Sequence, residues 1–136
     1  MKRLFASVLF LFSLSLTAPV LSADFQKGEN ALSRGDFAAA LEELMPLAEQ
    51  GNAKAMYYLG VMYKEGQGVT ANDELAHKWL VLSGEQGEAQ AQLILGMMYH
   101  FGSGVPENMD TAKKWYQLAA DQGVEEAQSI LKIIAE

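Results

Sequence analysis

Cysteine is absent from the 136 residues, which excludes a disulfide framework and leaves packing alone to stabilise the fold. The same absence removes a lipoprotein anchor and any thiolate metal site. Histidine is nearly absent. His77 and His100 are the two in the chain, and neither belongs to an H-E-x-x-H pattern or another metal-ligand spacing. Basic residues are also few: beyond residue 23 the chain carries 17 acidic against 8 basic side chains, a formal charge of −9 with histidine neutral. Nucleic acid and anionic lipid are poor partners for such a chain, because both are held by clustered Lys and Arg. The acidic excess reads as a solvated surface, with a basic protein partner the other reading.

Nor is any apolar run long enough to cross a bilayer. Leu4 to Leu16 falls short of the roughly 20 residues that a helical span needs. This run follows Lys2 and Arg3 and precedes the small pair Ser22 and Ala23, the arrangement of a secretory signal peptide. The expected leader is residues 1–23, cut after Ala23. Leu21 is not the ideal small residue two places upstream, so a cut after Ser22 stays open, as does an uncleaved anchor. The exported chain, periplasmic or secreted, begins near Asp24, and export of a cysteine-free chain points to a bacterial source.

What the chain does contain is a phrase written twice. LGVMYKEGQGV at residues 59–69 returns as LGMMYHFGSGV at residues 95–105. Shifted by 36 residues, 53–88 aligns with 89–124, and 16 of the 36 pairs are identical. Such a period signals stacked supersecondary units, here two helices each. The first helix, from about Ala53 to Lys64, puts Ala55, Leu59, Met62 and Tyr63 on one face, with Gly60 where a neighbouring helix comes close. The GQGV turn ends it. Asn72 caps the second helix, in which Ala76, Trp79 and Leu82 or Ser83 share a face until Gly87. In the second unit the same roles fall to Ala91, Leu95, Gly96, Tyr99, Gly102, Gly104, Val105, Asn108, Ala112, Trp115 and Gly123.

The flanks follow the plan. Asp36, Ala40 and Gly51 stand 36 residues before Asn72, Ala76 and Gly87, so residues 24–52 form a divergent leading pair with a shorter internal loop. Residues 125–136 match only a first helix. The expected fold is all-α: a short solenoid of about seven helices, with units at 53–88 and 89–124 between a leading pair and a closing helix.

The motif A-x-x-x-L-G-x-x-Y-x-x-G-x-G-V, then Asn, A-x-x-W and Q-G, resembles the Sel-one-like repeat family, a relative of the tetratricopeptide repeats. It is carried by Ala55, Leu59, Gly60, Tyr63, Gly66, Gly68, Val69, Asn72, Ala76, Trp79 and Gly87 and by their copies. Residues 24–52 look more like an ordinary tetratricopeptide unit, with Gly28, Gly35, Asp36, Phe37 and Ala40 at suitable places. The resemblance implies a right-handed α-solenoid and a role as scaffold or adaptor without cofactor or metal. Ser83-Gly84 departs from the Ala119-Ala120 of the second copy, which weakens helix propensity there.

Catalytic readings are thin. GQGVTA (66–71) matches a G-x-G-x-x-A fingerprint in letters, but it follows a helix rather than a strand, and its copy GSGVPE loses the third small residue. Trp79 and Trp115 could stack on sugars or bases, but their identical repeat positions argue for packing; the same holds for Tyr63 and Tyr99. His77 is expected on an exposed face and His100 near a groove. Ser103 beside His100 has no orienting carboxylate that the sequence identifies.

By resemblance to tetratricopeptide packing, a concave groove lined by first helices would hold a peptide or protein segment. Its expected residues are Glu29, Ser33, Lys54, Tyr57, Val61, Lys64, Glu65, Gln90, Leu93, Met97, His100, Phe101, Glu126 and Ser129, with Tyr57, Leu93 and Met97 open to a core role. The leading expectation is a non-catalytic interaction module of the bacterial envelope. One alternative is an enzyme or binder for cell-wall or β-lactam compounds, a link made for cysteine-rich family members. The other is a regulator of a neighbouring exported protein.

Overall fold

The computed structural model describes residues 23–136, so the expected leader, Ala23 apart, lies outside the described residues. Seven helices follow in order: α1 (Phe25–Ser33), α2 (Phe37–Glu49), α3 (Ala53–Glu65), α4 (Asp73–Glu85), α5 (Ala89–Phe101), α6 (Met109–Asp121) and α7 (Glu125–Ala135). Five of the seven starts fall on capping side chains, and α5 and α7 begin without one. Asp24, Asp36, Asn52, Asn72 and Asn108 each accept a hydrogen bond from a main-chain N–H of the first turn they precede, which satisfies donors that an uncapped helix leaves open. The ends of α3 and α5 are set by Gly66 and Gly102, at φ +70° and +68°. That left-handed geometry favours glycine. The turn then closes when the Asn72 and Asn108 amides donate to the carbonyls of Tyr63 and Tyr99, both at 2.8 Å.

Glycine also decides how close paired helices come. A Cβ on Gly28 would lie 2.7 Å from Leu44 Cδ2, and one on Gly60 2.5 Å from Leu80 Cγ; on Gly96 it would overlap the Tyr116 ring. Each pair α1/α2, α3/α4 and α5/α6 is thus drawn together over a glycine on its first helix. The second glycine of each turn, Gly68 or Gly104, lies against Phe37 or Asp73 at the start of the preceding unit's second helix, which locks successive units in register. On α7 the position equivalent to Gly60 and Gly96 is Lys132. A helix packed on α7 as α4 packs on α3 would meet that side chain.

Every helix packs on the next, and the core follows the stack as three clusters. Ala31, Ala40, Leu44, Ala48, Ala55, Met56, Leu59 and Met62 form its first part, and Trp79 packs against them. Ala76, Leu80, Ala91, Leu95 and Met98 follow, with Trp115 alongside, and Leu93, Ala112, Tyr116, Ala119, Ala120 and Ala127 close against α7. Both tryptophans therefore work in the stack. Gly84 has a packing reason: a Cβ there would come within 3.2 Å of the Trp115 ring and 2.9 Å of Leu95 Cδ1. Ser83 is the buried member of its pair and donates to the Ala53 carbonyl at 2.6 Å, whereas Leu82 and its copy Leu118 stay exposed at 46% and 47%.

Candidate functional site: the inner face of the first helices

Among non-consecutive helices, the closest association is between α3 and α5. The first helices of the two full units thus lie beside each other as one layer of the stack. Across this layer the repeat brings Val61, Met97 and Ile133 to one register, 36 residues apart. Val61 and Met97 are half-buried and Ile133 is 71% exposed. Phe101 adds the largest open aromatic surface at 70% exposure. Its ring stacks on His100 with centroids 4.4 Å apart and planes 3° from parallel.

The charges on this face largely serve one another. Lys54 Nζ lies 3.1 Å from Glu29 Oε1, which also accepts from the Tyr58 hydroxyl at 2.7 Å. The Tyr58 hydrogen bond, and then Lys54, hold the Glu29 carboxyl below the usual carboxylate range, while burial and then the Glu29 bond push the Tyr58 phenol well up. Lys54 further sits 5.3 Å from the centre of the Phe25 ring, so α1 and α3 are clasped by one polar and aromatic group. Lys64 pairs with Glu65 at 3.2 Å. Leu32, Phe37, Tyr57, Tyr58, Val61, Met62 and Gln67 border an open depression of about 260 Å³, with room for one bulky apolar side chain.

Most of the expected strip is open or half-open: Ser33, Lys54, Glu65, Gln90, Phe101, Glu126 and Ser129 are exposed, and Glu29, Tyr57, Val61, Lys64, Met97 and His100 are intermediate. Leu93 corrects the expectation. It is only 4% exposed and packs with Ala112, Tyr116 and Ala127, because α7 closes over the second unit there. Tyr57 both packs against the middle of the core and lines the depression, and burial raises its phenol. His77, expected on an open face, is half-buried with Nε2 3.0 Å from the Tyr99 hydroxyl. Burial holds its imidazole below its ordinary value. His100 Nδ1 lies 3.1 Å from the Tyr116 hydroxyl, and no hydrogen bond joins it to Ser103 among the described residues.

One polar group escaped the sequence reading. Gln92 is 4% exposed, donates to the Gly84 carbonyl at 2.9 Å and accepts from Gln122 at 2.9 Å, and Gln122 reaches the Gly87 carbonyl as well. Gln128 repeats the motif one unit on, donating to the Ala120 carbonyl at 3.0 Å. The shared letter at 92 and 128 was the available signal. The equivalent in the first unit is Met56, which Gln86 approaches at 3.8 Å.

Among the described residues no helix is long and apolar enough to cross a membrane, and no group of three His, Asp or Glu could hold a metal ion. The Sel1 repeat model matches residues 53–88 and 89–124. A comparison with curated proteins finds no match. Among solved structures, the chain is similar to a Sel1 repeat protein from Oxalobacter formigenes, at 34% identity and TM-score 0.76, covering 79% of this chain and 44% of that one. It is also similar to a protective antigen present in uropathogenic Escherichia coli strains that displays an SLR fold, at 33% identity and TM-score 0.70, covering 79% and 25%. Cysteine rich protein B of Helicobacter pylori shares the fold at 22% identity and TM-score 0.66, over 78% of this chain and 90% of that one. The chain thus spans less than half the length of the first two.

Proposed function

Because this chain belongs to the Sel1 repeat family, we propose that it is an exported, non-catalytic interaction module whose inner face holds a segment of another envelope protein. Sel1 repeat proteins are typically protein-protein interaction modules, and the fold is a scaffold. The observation that carries the finer reading is the character of the inner face. Val61, Met97, Phe101 and Ile133 offer apolar surface there, while Glu29 with Lys54 and Lys64 with Glu65 neutralise each other. Pairing lowers, without abolishing, what these four charges lose when a partner excludes water, and apolar and aromatic anchors supply the binding. The cell-wall enzyme gains no support, since no hydrogen bond joins His100 to Ser103 among the described residues and His100 Nδ1 turns to Tyr116 instead.

The test is crosslinked capture from bacterial envelope extract with residues 24–136 as bait, beside a Val61→Glu/Phe101→Glu bait whose circular dichroism matches. A protein recovered by the first and lost from the second supports the inner face. Equal recovery by both moves the contact to the second helices of the pairs.

A further inference from the structure

The main-chain nitrogen of Asp24 lies 2.7 Å from Glu43 Oε2, across from α1 to α2. Its own carboxylate turns the other way and caps α1, accepting from the Gln26 and Lys27 amides at 3.0 and 3.3 Å. One turn on, Gly28 lets α1 settle against Leu44, the neighbour of Glu43. The Asp24 nitrogen is therefore held in place by the fold, not left on a free tail. In the uncut chain this nitrogen is a neutral amide with one N–H.

We propose that removal of the leader after Ala23 turns this amide into an ammonium ion paired with Glu43, so that processing itself locks the first helix onto the second. The inference rests on the export reading. A leader-cleaving protease hydrolyses the Ala23–Asp24 peptide bond: water adds its oxygen to the Ala23 carbonyl carbon, the C–N bond breaks, and Ala23 leaves as a carboxylate. The Asp24 nitrogen becomes a protonated amine with three donors. A charged donor at this distance makes a stronger bond than the neutral amide. The pairing also has to offset an ammonium at the positive end of a helix, where Glu43 and the Asp24 carboxylate are the near negative groups. Around Glu43 the crevice between α1 and α2 also presents Lys27, Arg34 and Glu42. A cut after Ser22 would put the ammonium one residue, about 3.8 Å of chain, beyond Glu43. The ion pair is thus available to the product of only one of the two cuts that the sequence leaves open.

Two measurements separate the inference from the reading beneath it. Intact mass of the protein recovered from the envelope of cells producing the full chain is expected to show a start at Asp24. A start at Met1 defeats the export reading, and a start at Ala23 defeats the inference for the natural protein. Independently, chains beginning at Asp24 and at Ala23 are prepared by proteolysis of a fusion and melted, each with and without Glu43→Gln. The Asp24 chain is expected to melt higher by about 2–5 °C at pH 6.5, with no such gap in the Glu43→Gln pair. An α-amine ordinarily titrates near pH 8, and its carboxylate partner raises that value. The advantage is therefore full below about pH 7.5 and lost as pH rises through the raised value. Equal melting of the two chains, or a gap that survives Glu43→Gln or pH 10, overturns the ion pair.

Discussion

The ring of Tyr116 lies so close to Gly96 that no Cβ fits between them. The first full unit solves the same contact with Leu80 against Gly60 and the leading pair with Leu44 against Gly28. Paired helices in this chain are held by a large side chain seated on a bare backbone.

Gly96→Ala should therefore destabilise the protein. Overpacking typically costs about 1–3 kcal/mol, and the gain in helix propensity offsets at most about 1 kcal/mol. Gly60→Ala should cost less, because the Leu80 side chain is smaller and more flexible than the rigid Tyr116 ring, though both are fully buried. Urea denaturation of both variants checks the order, and a Gly96→Ala protein as stable as the parent would contradict it.

Gln92 predicts a polar cost. Gln92→Leu keeps much of the volume but strips the Gly84 carbonyl of its donor and Gln122 of one acceptor. Leaving such groups unpaired in a buried place costs about 1–3 kcal/mol. The expected outcome is a lower melting temperature at unchanged helix content.

His77 predicts a pH dependence. Burial lowers its folded value below the unfolded one, near 6.5, so folding favours the neutral ring. Its contribution is full above the unfolded value and is lost as pH falls through the folded one. His77→Gln should flatten the fall in stability between about pH 7 and pH 5. Melting curves across that window, parent against variant, would show it.

Much of this architecture was legible because a 36-residue period exposes it: the caps at Asn72 and Asn108, the turn glycines and the close approach at Gly60 follow from letters that recur. What failed to show lies where the repeat changes its letters. His77 meets Tyr99 across two units, while the residues one period earlier are Leu41 and Tyr63, which cannot make the same bond. Leu93 stands where Tyr57 stands in the first unit, and its burial depends on α7. The Gln92 bridge joins three helices, so no single amphipathic pattern announces it. The inner strip was placed by analogy of position, which assigns residues to a helix face but does not say how far each reaches out of it.

An interaction module must meet a partner on its binding face. The most direct measurement places a photo-crosslinking amino acid at Met97, on the proposed inner face, and separately at Glu74, an exposed residue of α4, in cells producing the full chain. The prediction is a discrete adduct of higher mass from position 97 and none from position 74. An adduct from position 74 with none from position 97 would contradict it.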